Sequence, residues 1–137
     1  MEKLILMSIK TKYANQIFNG IKKYEFRRKN IGEKNCNKKI IIYSSEKEKA
    51  IIGYIIVEKI LVGDINFILD ATNNKNNSEI INYFNKCDKC YAFKISHAIK
   101  YEKPLTLEEI KKYDKNFVVP QFYRYIKSNE YIYDKLH

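Results

Sequence analysis

From Lys22 to Arg28 the chain reads Lys22-Lys23-Tyr24-Glu25-Phe26-Arg27-Arg28, so that cations, one carboxylate and two aromatic rings alternate. With a period of two, Lys22, Tyr24, Phe26 and Arg28 share one strand face and Lys23, Glu25 and Arg27 the other. A lysine beside a carboxylate forms an ion pair, or moves a proton with it where burial draws their pKa values toward neutrality. A guanidinium presents a planar fork to a phosphate or a base edge. Lys22 and Glu25 are thus the candidate catalytic pair if the protein is an enzyme, and Arg27 is the candidate anion ligand. The competing reading is a structural salt bridge among the three. Strict alternation separates Lys22 from the other two, so a shared cleft requires a bend after Gly20 or a bulge at the strand start.

The same stretch carries most of the charge. Between Lys22 and Lys39 there are eight cations against Glu25 and Glu33, more than half of the formal net charge of +10. Tyr24 and Phe26 sit among these cations. Stacking platforms worth about 1–3 kcal/mol per base, interleaved with phosphate-neutralising side chains, are what single-stranded nucleic acid needs. Two blander readings compete: the rings are core and the lysines protect a strand edge, or the excess of Lys, Asn and Ile is a compositional bias that binds nothing in particular. A basic face could also meet an acidic protein partner.

The elements that must position these residues follow from local pattern. Leu4 to Ile9 reads as a buried strand, Thr11 caps a helix running to about Asn19, and Gly20 stands where a left-handed residue ends it. A strand over Lys22 to Arg28 comes next, then a polar loop to Lys38. Lys39 to Ser44 and Ala50 to Val62 read as a hairpin around Glu46-Lys47-Glu48-Lys49. Asp64 caps a short helix to about Ala71, Thr72 to Asn77 is a loop, and Ser78 opens another helix through Phe84. Tyr91 to Ile99 reads as the last long strand. Pro104 and Thr106 introduce a helix from Leu107 to Tyr113, and Pro120 precedes the aromatic tail from Phe122 to Ile126. About five strands and three or four helices, not in strict alternation, predict an α+β domain: a small barrel with helices packed on its rim.

A chain of 137 residues, 45% hydrophobic and 14% aromatic, suits one domain spanning residues 1–137 and excludes global disorder. No apolar run reaches the roughly 20 residues a membrane helix needs; the longest, Ala50 to Gly63, is broken by Glu58 and Lys59. The apolar start is too short for a signal-peptide core, so a cytoplasmic location without membrane association is the expectation. The cysteines are Cys36, Cys87 and Cys90, an odd number that argues against a disulfide framework. Cys87-Asp88-Lys89-Cys90 has half-site spacing, yet tetrahedral zinc needs four ligands, and only Cys36, His97 and His137 remain. No metal and no cofactor is expected, and both histidines read as ordinary residues.

Read from its glycine, Gly20-Ile21-Lys22-Lys23-Tyr24-Glu25-Phe26-Arg27 has the form G-x-K-x-x-E-x-R after a strand and a helix. This resembles the signature of the ASCH family of the PUA-like superfamily. Met7-Ser8-Ile9-Lys10, Tyr43-Ser44-Ser45 and Pro120-Gln121-Phe122-Tyr123-Arg124-Tyr125-Ile126 look like segments that accompany it in small prokaryotic members. The resemblance implies a β-barrel of five or six mostly antiparallel strands, with a cleft lined by the motif's Lys, Glu and Arg. It also implies RNA, another single-stranded nucleic acid or a nucleoside-like small molecule as partner. The ligand-contacting candidates are then Lys22, Glu25 and Arg27 with Ser8, Lys10, Tyr24, Ser44, Gln121 and Arg124. One branch of the family hydrolyses acetylcytidine with a Thr nucleophile at the place where this chain has Glu25. A carboxylate can activate water but cannot reproduce acyl-enzyme chemistry, so an amidohydrolase, or a hydrolase acting on RNA, is the alternative to a binding domain.

Overall fold

The structure, a computed structural model, describes residues 3–136; Met1, Glu2 and His137 lie outside the described residues. In chain order the elements are β1 (Leu4–Lys10), α1 (Thr11–Phe18), β2 (Tyr24–Arg27), a short 3-10 turn (Glu33–Asn35), β3 (Lys39–Ser45), β4 (Ala50–Gly63), α2 (Ile65–Ala71), α3 (Ser78–Tyr83), β5 (Cys90–Thr106), α4 (Leu107–Tyr113), β6 (Tyr123–Ile126) and α5 (Tyr131–Leu136). Among the described residues this is an α+β fold with a mixed six-stranded sheet of order β2-β5-β4-β3-β1-β6. Only β1 with β3 is parallel among the pairs whose register is defined; β1–β6, β2–β5 and β3–β4 are antiparallel. The order has two ends, so hydrogen bonding does not close it into a ring, an arrangement compatible with the barrel-like fold expected.

The chain divides into two compact units, with β4 and β5 contributing residues to each. The first comprises the residues up to Lys22, Lys39–Ile56 and those from His97 on. Its β1 is buried along Leu4–Ile9, because pairing with β3 on one side and β6 on the other leaves it an interior strand, which calls for a near-continuous apolar run. Leu4, Leu6, Ile41, Tyr43 and Ile51 meet Ile110, Phe117, Ile126, Ile132 and Tyr133 in one cluster. Helix α1 buries Ala14 and Ile17, and Gly20 ends its exit turn at φ +78, a conformation open to glycine without strain. Gly53 on β4 has a steric reason: a Cβ there would collide with the Ile99 carbonyl.

The second unit comprises Lys23–Lys38 and Val57–Ser96. Strand β2 pairs with β5 in the register Tyr24↔Lys94, Glu25↔Phe93, Phe26↔Ala92 and Arg27↔Tyr91. Asp64 caps α2 by accepting from the Phe67 amide at 2.8 Å, and α3 opens at Ser78 as expected, with Asn77 as its cap. Ile68, Phe84, Cys90 and Ala92 form the core of this unit.

Several elements differ from the sequence reading. Thr11 does not cap α1: Lys10 holds the N-cap position without a side-chain bond, and the Thr11 hydroxyl turns to the Ser45 carbonyl instead. Strand β2 is limited to Tyr24–Arg27. Strand β5 does not stop at Ile99 but runs to Thr106. Tyr101 and Leu105 pack on the first unit's core while Lys100, Glu102 and Lys103 stay exposed, and Pro104 sits near the strand end, where its missing N–H is tolerated. The aromatic tail forms β6, pairing Leu4↔Ile126 through Met7↔Tyr123. Helix α5, which buries Ile132 and Tyr133, is unannounced by any Pro, Gly or heptad-like signal. No helix among the described residues is long and apolar enough to cross a membrane.

Candidate nucleic-acid interface

Period two sends the side chains of β2 to opposite faces. Tyr24 and Phe26 pack against the second unit's core; their rings are 6.4 Å apart, and Phe26 meets Phe84 edge-on at 6.2 Å. Glu25 and Arg27 take the other face, and the structure brings these two motif residues together. Both Nε and Nη2 of Arg27 lie 2.8 Å from Oε2 of Glu25. Glu25 is 4% exposed, and a carboxylate that dry requires a paired cation to remain charged. The pair thus fixes the plane of the guanidinium.

Lys22 stands before β2 in the turn that leaves α1. Its amide and that of Ile21 donate to the Gln16 carbonyl at 3.0 and 2.9 Å. Its ammonium lies 4.8 Å from the Tyr13 ring centroid, in cation–π range.

The remaining candidates of the first unit divide into fasteners and exposed side chains. Ser8 is buried; its hydroxyl donates to the Pro120 carbonyl at 2.7 Å and its amide to the Phe122 carbonyl at 3.0 Å. These bonds tie the segment around Gln121, itself exposed, to β1. Ser44, also buried, donates to the Thr11 hydroxyl at 2.9 Å. Thr11 in turn donates to the Ser45 carbonyl at 2.6 Å and accepts from the Glu48 amide at 3.2 Å, so one hydroxyl anchors the start of α1 to the β3–β4 turn. Lys10, opposite Ser45 in the ladder, is exposed.

Arg124 is held from several sides. Nε donates to the Val118 carbonyl at 2.8 Å, Nη1 to the Tyr125 carbonyl at 3.2 Å, and Nη1 and Nη2 reach the two oxygens of Glu130 at 2.8 and 2.9 Å. Phe117 lies 5.2 Å beneath the guanidinium. Burial works against the charge of Glu130, yet hydrogen bonds from Arg124 and the Lys127 amide, with the nearby positive charges, outweigh it and hold the carboxyl below the usual range.

Other titratable groups show little readiness for catalysis. Burial pushes the Cys36 and Cys90 thiols up, helped by Glu33 in the first case and by Cys87 and Asp64 in the second, which disfavours the reactive thiolate. Burial and neighbouring Tyr54 push Tyr101 up to about 12; its hydroxyl lacks a hydrogen-bond partner among the described residues. His97 is exposed on β5. Among the described residues no three His, Cys, Asp or Glu side chains cluster to hold a metal ion.

One residue outside the sequence-derived candidates, Tyr83 in the last turn of α3, stands at the site. Arg28, the residue after β2, places its guanidinium over the Tyr83 ring at 4.3 Å. Burial raises the Tyr83 phenol; Arg27 and Arg28 draw it down and Glu25 opposes them, so the ring lies within electrostatic reach of the motif pair. No local signal marks a contact between residues 55 positions apart.

Comparison with known proteins adds four findings. The family model for the ASCH domain matches residues 7–105. An ASCH domain-containing ribonuclease from Zymomonas mobilis is 27% identical over 128 residues, covering 91% of this chain and 85% of that protein. The crystal structure of ASCH from Zymomonas mobilis matches with a TM-score of 0.81 at 27% identity, over 93% of this chain and 90% of that one. A hypothetical protein from Leishmania major, 16% identical, shares the fold with a TM-score of 0.56 over 98% of this chain and 93% of its own.

Proposed function

Because this chain belongs to the ASCH domain family, we propose that it is an RNA-binding domain that engages single-stranded RNA through the basic segment around its G-x-K-x-x-E-x-R motif. The observation that carries the reading is the Glu25–Arg27 pair: a nearly dry carboxylate holding a guanidinium at 2.8 Å within a stretch of eight cations and two acids. An oriented fork gains more per hydrogen bond to a phosphate than a mobile one, since less rotational freedom is lost on binding. In this reading Arg27 takes a phosphate or base edge, Lys22 adds positive charge, and Glu25 sets the guanidinium plane. Lys10 and Gln121, both exposed, are second-rank contacts.

Titration of a labelled single-stranded oligoribonucleotide across salt tests it. The expected result is binding at low salt whose log–log slope is about −0.7 per neutralised phosphate. Absence of binding, or affinity indifferent to salt, removes the reading. Competition by free nucleosides would redirect it to a nucleoside-like ligand.

A second reading is favoured by the relative named as a ribonuclease: the domain cleaves the RNA it binds, with Lys22 and Glu25 as the proton-transfer pair. Labelled RNA incubated with and without divalent metal decides. Cleavage abolished in both Lys22→Ala and Glu25→Ala supports it, and cleavage indifferent to both substitutions excludes it.

A further inference from the structure

The fold of the second unit builds a layered stack that the motif does not account for. Phe26 on β2 meets Phe84 edge-on at 6.2 Å; Phe84 is 2% exposed and meets Tyr83 edge-on at 4.9 Å; and the Arg28 guanidinium lies over the Tyr83 ring at 4.3 Å. The stack begins in the core and ends at the surface, since Arg28 is exposed. An exposed arginine ordinarily samples many rotamers. Arg28 is pinned twice by one residue, because its Nε also donates to the Tyr83 carbonyl at 2.9 Å.

We propose that Arg28, laid on Tyr83, is a stacking platform for an unpaired base of bound RNA. The inference rests on the RNA-binding reading above and names a subsite for it. A guanidinium plane backed by an aromatic ring on one side offers its other face to a second planar π-system, and arginine planes accept nucleobases in this way. Neither Nη1 nor Nη2 bonds to a described residue, so both remain for in-plane contacts to the sugar-phosphate chain on either side of the stacked base. An acidic peptide's carboxylate would use the charge and the edge of the fork and leave the face unused. Single-stranded RNA uses both, and the exposed Lys29, the next residue in sequence, adds positive charge beside the platform.

The test is a set of short single-stranded oligoribonucleotides with 2-aminopurine placed at successive positions, titrated with wild-type protein, Arg28→Lys, Arg28→Ala and Tyr83→Leu. With wild type, fluorescence is quenched strongly at one position. Arg28→Lys keeps the charge and loses the plane: affinity falls about tenfold, the quench disappears, and the salt slope is unchanged. Arg28→Ala also lowers the slope by about 0.7. Tyr83→Leu, checked for folding by thermal melting, behaves like Arg28→Lys; if it fails to fold, Arg28→Lys decides alone. An Arg28→Lys protein that binds within twofold of wild type and keeps the quench overturns the platform while leaving RNA binding intact. Absence of RNA binding by wild type overturns both.

Discussion

Two arginine–glutamate pairs, Arg27–Glu25 in the second unit and Arg124–Glu130 in the first, share a contact distance of 2.8 Å and comparable burial. They differ in how far along the chain the pairing reaches. Arg124 also serves the carbonyls of Val118 and Tyr125 and covers Phe117, so it staples the approach to β6 to the turn that opens α5. Arg27 places both Nε and Nη2 on one oxygen of a carboxylate two residues away on the same strand, a pairing that orients a side chain without joining distant parts of the chain. The same two residue types thus make a clasp in one place and a mount in the other, and the distinction lies in reach: Arg124 joins Val118, Tyr125 and Glu130, whereas the Arg27–Glu25 pair spans two positions of one strand.

The largest expected effect tests the clasp. Arg124→Met strands a half-dry carboxylate and frees two carbonyls, so unfolding free energy falls by about 2–3 kcal/mol in denaturant titration, while RNA affinity of the folded variant changes less than twofold. Affinity falling in step with stability would make Arg124 an interface residue and collapse the distinction. Next comes the mount: Arg27→Lys keeps the charge and loses the fork, so RNA affinity falls about tenfold at constant salt slope with little loss of stability.

A smaller effect is the pH dependence of the clasp. Glu130 is held below its ordinary value of 4.5 when folded, so the folded state binds fewer protons than the unfolded state there. Its contribution is full above that value and is lost as pH falls through the lower folded pKa. Melting temperatures measured between about pH 5 and pH 3 therefore decline less steeply in Glu130→Gln than in wild type. Equal slopes would show that the pair contributes nothing. The smallest effect is also the sharpest: Glu25→Gln removes a negative charge, which by itself strengthens RNA binding, but it also releases Arg27. A decrease of about threefold, near 0.6 kcal/mol, supports orientation; an increase shows that bulk charge alone matters.

What was legible in the sequence is what short-range chemistry decides. The strand Leu4–Ile9, the helix from Thr11 and the glycine after it follow from an apolar run, helical spacing and the need for positive φ at Gly20. The β3–β4 hairpin and the caps at Asp64 and Thr106 follow equally from nearby residues. The period-two reading of β2 correctly put Glu25 and Arg27 on one face and the two rings on the other, although the strand is shorter than the alternation suggested, because the Lys22 amide is held in the turn out of α1 and regular pairing runs only from Tyr24 to Arg27. Contacts set by the assembled fold were not legible. Nothing near Arg28 names Tyr83, nothing near Ser8 names Pro120, and the parallel pairing of β1 with β3 depends on which strands become neighbours.

The position of β1 has a consequence for how the protein is made. One edge of this strand is paired by residues 39–45, but the other waits for residues 123–126, over a hundred positions later. During translation a chain already long enough for β1 and β3 to pair carries the open amides and carbonyls of Leu4–Met7 until β6 leaves the ribosome, and such an edge invites pairing with other nascent chains. Folding therefore completes late and is governed by long-range closure, and stop codons anywhere before β6 should yield insoluble products even when every motif residue is present.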